Sequence, residues 1–194
     1  VVIAMPIGQF AYASNSNRFL AVPELRGQPF AIAGVPFDGV VTNRPGARFG
    51  PQAIRAASLM LCDGIHPVFD VSPAAHLGDA LDMRLPNASP LDEVRTHIER
   101  QARALMGQHH AVFLGGDHSV TLALLKAAQA RFSQGEPLAV IHFDAHCDTW
   151  TDHFGEPSGH GTWTHEAIEQ GIISATHTVQ IGIRSSGERT AREF

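Results

Sequence analysis

Asp144, His146 and Asp148 stand at every second position of the stretch His142-Phe143-Asp144-Ala145-His146-Cys147-Asp148-Thr149-Trp150, directly after the apolar run Leu138-Ala139-Val140-Ile141. Successive side chains on an extended chain point to opposite faces, so an extended segment here projects all three to one side. Two carboxylates and an imidazole at the mouth of a buried strand form a ligand set for a divalent metal. Without a thiolate, that set favours Mn, Fe, Co, Ni or Zn over a soft-metal site. Cys147 is out of phase with the three and is expected to face away in a structural role. His142, inside the strand, is expected to pack beside the site.

A second imidazole stands at another strand end. His118 lies in Gly115-Gly116-Asp117-His118-Ser119, between the apolar Ala111-Val112-Phe113-Leu114 and a helical run from Val120. The two glycines permit tight packing and unusual backbone angles beside a site. Ser119 is expected to cap the helix, and Asp117 to hold His118 or another ligand from behind. His160, in Ser158-Gly159-His160-Gly161-Thr162, is a third candidate. An imidazole there suits general acid chemistry or proton relay, because it titrates near neutral pH. Spacing alone does not separate His160 from its neighbours His153 and His165. His66, His76, His97, His109, His110 and His177 read as surface or structural.

The elements that must position these groups follow from local pattern. Buried strands are expected at 31–36, 111–114, 138–143 and 178–183, with a short edge strand near 67–71 in an otherwise turn-rich stretch, 65–88. Pro51 suits the first position of a helix through Met60. Ser89 reads as the cap of a long helix in which Leu91, Val94, Ile98, Ala102 and Leu105 form one apolar stripe ended by Gly107. Further helices are expected at 120–131, at about 163–170, and starting at the end of the chain. Residues 14–18 and 37–50 read as loops, the latter carrying Arg44 and Arg48. Near-continuous apolar strands alternating with helices give an α/β fold with a mainly parallel sheet covered on both faces. Ligands in such folds bind at the carboxyl ends of the strands, which is where 115–119 and 144–150 fall.

Length and composition narrow the class. A chain of 194 residues suits a single domain around one core. A net charge of −5 offers nothing to nucleic acid or an anionic membrane surface. No apolar run approaches the roughly 20 residues a membrane helix needs. The opening Val1-Val2-Ile3-Ala4-Met5-Pro6 is short and lacks a preceding basic region, so no signal peptide is expected. Two cysteines, Cys62 and Cys147, make no disulfide framework and fit a reducing, cytoplasmic setting.

Taken together, G-V-P-F-D at 34–38, R-P-G-A-R-F-G-P at 44–51, G-G-D-H-S at 115–119, H-F-D-A-H-C-D-T-W at 142–150, H-G-T at 160–162 and I-G-I-R at 181–184 resemble the arginase/agmatinase (ureohydrolase) family, in the family's order. The resemblance implies a three-layer α-β-α fold and a centre of two divalent metal ions, manganese foremost. It implies hydrolysis of a guanidino compound to urea and an amine by a metal-bridging hydroxide. By position, His118 and Asp148 are then ligands of one metal, His146 of the other, and Asp144 bridges. His160 matches the family's proton-transfer or substrate-contacting histidine. The variants at 149–150, 160–162 and 181–184 resemble agmatinases and guanidinobutyrases more than arginases, which favours agmatine as the small guanidino substrate.

The resemblance also implies more than these residues supply. The family's later Asp-x-Asp motif, with two further ligands, and its pocket glutamate do not occur after Arg184. The 194 residues are therefore expected to be the N-terminal two-thirds of a ureohydrolase domain. Guanidinobutyrase or guanidinopropionase activity, amide hydrolysis of the polyamine deacetylase type, and an inactive shortened homologue are the alternatives. Arg44, Arg48, Asp152 and Glu156 are candidates for reading the substrate's tail. Family members are often trimers or hexamers, so a homo-oligomer is expected.

Overall fold

The computed structural model describes residues 17–61, 64–152 and 154–185. The sequence expectations for 14–16, Cys62, His153 and the helix at the chain end lie outside them. Among these residues five strands alternate with four α-helices: β1 (Phe30–Val35), α1 (Gly50–Ser58), β2 (Leu77–Asp82), α2 (Leu91–Met106), β3 (His110–Gly115), α3 (Val120–Ala128), β4 (Leu138–Phe143), α4 (Trp163–Glu169) and β5 (Ile173–Ile181). Every strand pairing is parallel, as alternation with helices requires. Among the described residues the strands form two sheets rather than one, in the orders β2-β1-β3 and β4-β5. Residues Ile141 and Phe143 of β4 are exposed there.

β1 is the centre of the first sheet. Its Ala31-Ile32-Ala33-Gly34-Val35 run is buried throughout, as expected of a strand covered on both faces. It runs in register with β3 from Phe30 opposite His110 to Val35 opposite Gly115. The strand expected at 67–71 is absent. Those residues form a turn closed by one antiparallel bridge between His66 and Val71, with Val68 and Phe69 exposed. The pairing strand is β2 instead, in the stretch read as turns. Its centre is Asp79, fully buried, whose carboxylate accepts from Arg55 Nε at 2.8 Å and Nη2 at 3.0 Å. A central aspartate erases the apolar signature of a strand, and its burial is offset by Arg55 on α1 together with the Phe19 and Leu81 N–H groups. Past Asp79, β2 carries an extra residue against β1, and Leu81 takes φ 61° at that bulge.

Two apolar clusters meet at α3. Val94, Ile98, Ala102 and Met106 of α2 pack with Val120, Ala123 and Ala127 of α3, against Val35 and Met83. The buried stripe of α2 thus runs strictly at every fourth residue and ends on Met106, not Leu105. Leu122, on another side of α3, packs with Trp163 and Ala167 of α4 and with Ile172 and Ile173. One helix therefore contributes to the cores associated with both sheets. Ser89 does not cap α2: Pro90 is the cap position, and its carbonyl accepts from Glu93 and Val94. The helix at 120–131 leaves α geometry at Ala128 and ends in a π-type turn, Gln129–Ser133. β5 begins five residues before the expected Thr178, extended by the polar, largely exposed Ser174-Ala175-Thr176-His177.

A candidate metal centre at the strand ends

β3 and β1 leave their sheet side by side, and their exits are stitched together. Gly116 N donates to Val35 O at 3.3 Å and Asp117 N to Phe37 O at 2.7 Å. A Cβ on Gly116 would lie 2.2 Å from Phe37 O, so only glycine permits this approach. Asp117 Oδ1 accepts from the Ser119 N–H at 2.9 Å and from its hydroxyl at 2.5 Å, and Oδ2 accepts from Val40 N. Asp117 therefore fixes the His118 turn through the backbone on either side of that residue. Ser119 makes no side-chain cap on α3; its hydroxyl is spent on Asp117 instead.

β4 ends at Phe143, and the chain does not stay extended beyond it. His146 N donates to Asp144 Oδ1 at 2.8 Å, an Asx turn, and Asp148 takes φ 53°. These two bends break the strict alternation expected for 144–148. Asp144 and Asp148 converge, while the His146 side chain is 66% exposed and outside their group. Ligand atoms of His118, His142, Asp144 and Asp148 all lie within 4.8 Å of one another. His118 Nδ1 is 2.8 Å from Asp148 Oδ2 and 3.5 Å from Asp144 Oδ2. His146 Nδ1 is 3.4 Å from the other oxygen, Asp144 Oδ1. Asp144 thus presents one oxygen to the buried group and one to His146. Imidazole and carboxylate donors this close, with one imidazole near each oxygen of a single carboxylate, suit divalent cations.

The surroundings set the charge. Burial works to raise the Asp144 carboxyl, but the His146 N–H and the His118 and His142 imidazoles outweigh it and hold the group below its ordinary value. Burial, followed by the neighbouring His118, pushes His142 below the ordinary imidazole value against the pull of Asp144 and Asp148. These shifts favour an ionised Asp144 beside a neutral His142.

Several groups that hold the site gave no local signal. Trp163 is 1% exposed, and its indole Nε1 donates to Asp148 Oδ2 at 2.7 Å. Its ring lies about equally close to His118 and His142, with centroids 5.1 and 5.0 Å away. Arg95 of α2 is buried and bridges three segments: it donates to Ser119 O at 3.2 Å, to Glu166 of α4 at 3.0 Å, and to the Ser158 hydroxyl. Ser158 and Thr162 also donate to Glu166, and Gly159 N donates to Thr162 Oγ1. This polar cluster underpins the loop carrying His160. His160 stands outside the His118 group, and its Nε2 meets Thr42 Oγ1 of the 37–50 loop at 3.2 Å. Arg48, a candidate for the substrate tail, is tied to the buried Asp38, while Arg44 and Glu156 remain exposed. Asp152 accepts from Gly155 N. Cys147 is a free thiol outside the ligand group, with its sulfur accepting from Thr149 Oγ1.

The family model for the arginase family matches residues 28–194. The chain belongs to the arginase family. It is 39% identical over 168 residues to an agmatinase of Chromobacterium violaceum, an alignment covering 84% of this chain and 50% of that protein. It is 37% identical over 191 residues to a guanidinopropionase of Pseudomonas aeruginosa, covering 94% of this chain and 57% of that one. A solved structure described as a hypothetical agmatinase from Burkholderia thailandensis superposes with a TM-score of 0.80 at 35% identity, over 89% of this chain and 56% of that one. The arginase-like three-layer α/β fold is therefore established, and the chain spans about half the length of the relatives it matches.

Proposed function

We propose that the protein hydrolyses a small guanidino compound, agmatine foremost, to urea and an amine. The observation that carries this reading is the placement of Asp144, in one cluster with His118 and Asp148, with Oδ2 toward His118 and Oδ1 toward His146. A carboxylate shared in this way suits two neighbouring divalent cations, manganese first. His118 and Asp148 would hold one, His146 the other, and Asp144 both. These four side chains are too few to enclose two ions, so the remaining ligands are expected from elsewhere in the complete protein. When bound, such ions supply Lewis acidity and lower the pKa of a water toward neutrality.

The chain's own residues supply the rest. Asp148 is oriented by Trp163, and the His118 turn by Asp117 and Arg95. His160, whose Nε2 meets Thr42 Oγ1, is our candidate for moving a proton toward the departing amine. The relatives named agmatinase and guanidinopropionase support a guanidino group as the common chemistry. They differ in the tail: a terminal ammonium calls for acidic partners and a carboxylate for donors. The setting we propose is a cytoplasmic homo-oligomer, trimeric or hexameric; no helix among the described residues is long and apolar enough to cross a membrane. The test is urea release by the full-length protein with Mn2+ on agmatine, guanidinobutyrate, guanidinopropionate and arginine. Agmatine is expected to give the highest kcat/KM. Absence of urea from all of them would refute the activity.

A further inference from the structure

We propose that Gln180 locks His142 in the tautomer bearing its proton on Nε2, so that His142 serves as a hydrogen-bond donor that positions Asp144 and not as a metal ligand. By distance alone His142 qualifies as a ligand, since its ring joins the cluster of His118, Asp144 and Asp148. The hydrogen bonds behind the ring decide otherwise. Gln180 Nε2, on β5, lies 2.7 Å from the carbonyl oxygen of Cys147 and 3.0 Å from His142 Nδ1. A carbonyl oxygen only accepts, so the amide must turn its NH2 toward Cys147; the reverse orientation sets two acceptors against each other. The same nitrogen has a second hydrogen, and it points at His142 Nδ1. That ring atom must then be an acceptor, which leaves the proton of the neutral imidazole on Nε2.

Nε2 is buried and lacks a well-formed hydrogen bond, with Asp144 Oδ2 3.5 Å away. A nitrogen that carries a proton cannot coordinate a metal, because its lone pair is committed. Its N–H can restrain the carboxylate oxygen that also faces His118. Gln180, His142 and Asp144 thus form a chain of command from β5 through β4 to the site. The β pairing builds it: His142 sits opposite Gln180 in the register between the two strands.

The consequence for cation binding rests on the metal reading above; the tautomer does not. Long-range 15N–1H correlation spectra of the metal-free full-length protein, with His142 assigned by comparison with His142→Gln, read the tautomer directly. A protonated-type shift at Nε2 and an unprotonated one at Nδ1 are expected; the reverse pattern, or a doubly protonated ring at pH 7.5, overturns the proposal. Mn2+ titration then separates donor from ligand. His142→Gln, which returns an N–H near Nε2, is expected to keep affinity within about threefold, whereas His142→Leu loses roughly 10- to 100-fold. Equal losses in the two variants overturn the positioning role. Should the wild-type protein bind no Mn2+, the metal reading fails while the nitrogen shifts still decide the tautomer.

Discussion

Replacing Trp163 by Phe isolates what one buried donor does for the site. The indole N–H reaches Asp148 Oδ2 at 2.7 Å in surroundings where Trp163 is 1% and Asp148 7% exposed. Water cannot take over the bond when it is removed. A hydrogen bond to a charged group contributes about 1.5–3 kcal/mol, equivalent to roughly 10- to 150-fold in any equilibrium that needs Asp148 held in place. The substitution also shrinks a ring packed on Leu122 and Ala167, which lowers fold stability by about 1–3 kcal/mol. The two effects are separable. Leu122→Ala opens a cavity in the same cluster and leaves the indole bond intact. Titration of Mn2+ into the full-length variants is expected to show at least a tenfold loss for Trp163→Phe and less than a twofold loss for Leu122→Ala. Thermal unfolding should fall in both. If Trp163→Phe binds Mn2+ within twofold of wild type, or if Leu122→Ala loses as much, Asp148 is not positioned by the indole and the reasoning is refuted.

Two further outcomes follow from ion pairs away from the site. Asp79→Ala leaves Arg55 buried with Asp82 as its remaining carboxylate partner, at 2.5 Å; urea denaturation should show a loss of about 3–5 kcal/mol, and the double replacement Arg55→Met with Asp79→Leu should recover part of it, since the Phe19 and Leu81 N–H groups still lose their acceptor. Asp38 is held below its ordinary carboxylate value, first by its hydrogen bond to Arg48 and then, against the effect of burial, by the N–H groups of Gly46 and Arg48. Its folded pKa is depressed, so the unfolded chain takes up the proton first: the stabilisation is present above the unfolded value of 3.8 and is lost as pH falls through the lower folded value. The urea midpoint of the wild type should therefore drop more steeply than that of Asp38→Asn over that acid range, and parallel curves would discount the pair.

What the sequence made legible was whatever a local pattern encodes. β1, β3 and β4 are continuous apolar runs, and each appeared within a residue or two of its expected place. β2 was hidden because its central residue is Asp79, and nothing nearby in sequence announces that Arg55, 24 positions away, neutralises it. At the site, residue types were legible and directions were not. Alternation put Asp144, His146 and Asp148 on one side, but an Asx turn and a single left-handed residue at Asp148 leave His146 outside the group that Asp144 and Asp148 join, near only the other oxygen of Asp144. Asp117 was expected to hold His118 or another ligand; its carboxylate instead accepts from Ser119 and from Val40 N. Gln180 did leave a trace, a polar residue between Val179 and Ile181 in an apolar strand. The spacing could not say that it faces His142.

Arg95 shows why such supports escape a reading by periodicity and why they matter. It follows Val94 on α2 and belongs to no apolar stripe, so its natural assignment is the solvent face. It is buried because three segments supply acceptors at once: Ser119 O beside His118, Glu166 on α4, and the Ser158 hydroxyl in the loop leading to His160. Each acceptor alone would leave part of the guanidinium unsatisfied, and a buried cation missing its carboxylate costs several kcal/mol. The arrangement therefore holds only when the His118 turn, α4 and the His160 loop are all in place. Glu166 ties the same loop again through Ser158 and Thr162, while Trp163, three residues earlier on the same helix, reaches Asp148. The candidate ligands come from two strand exits, His118 after β3 and the aspartates after β4, the candidate proton carrier comes from the same β4–α4 connection as the aspartates, and all share one buried polar foundation. Disturbing one of them moves the others, which is the property expected of a site whose parts must act on the same small substrate.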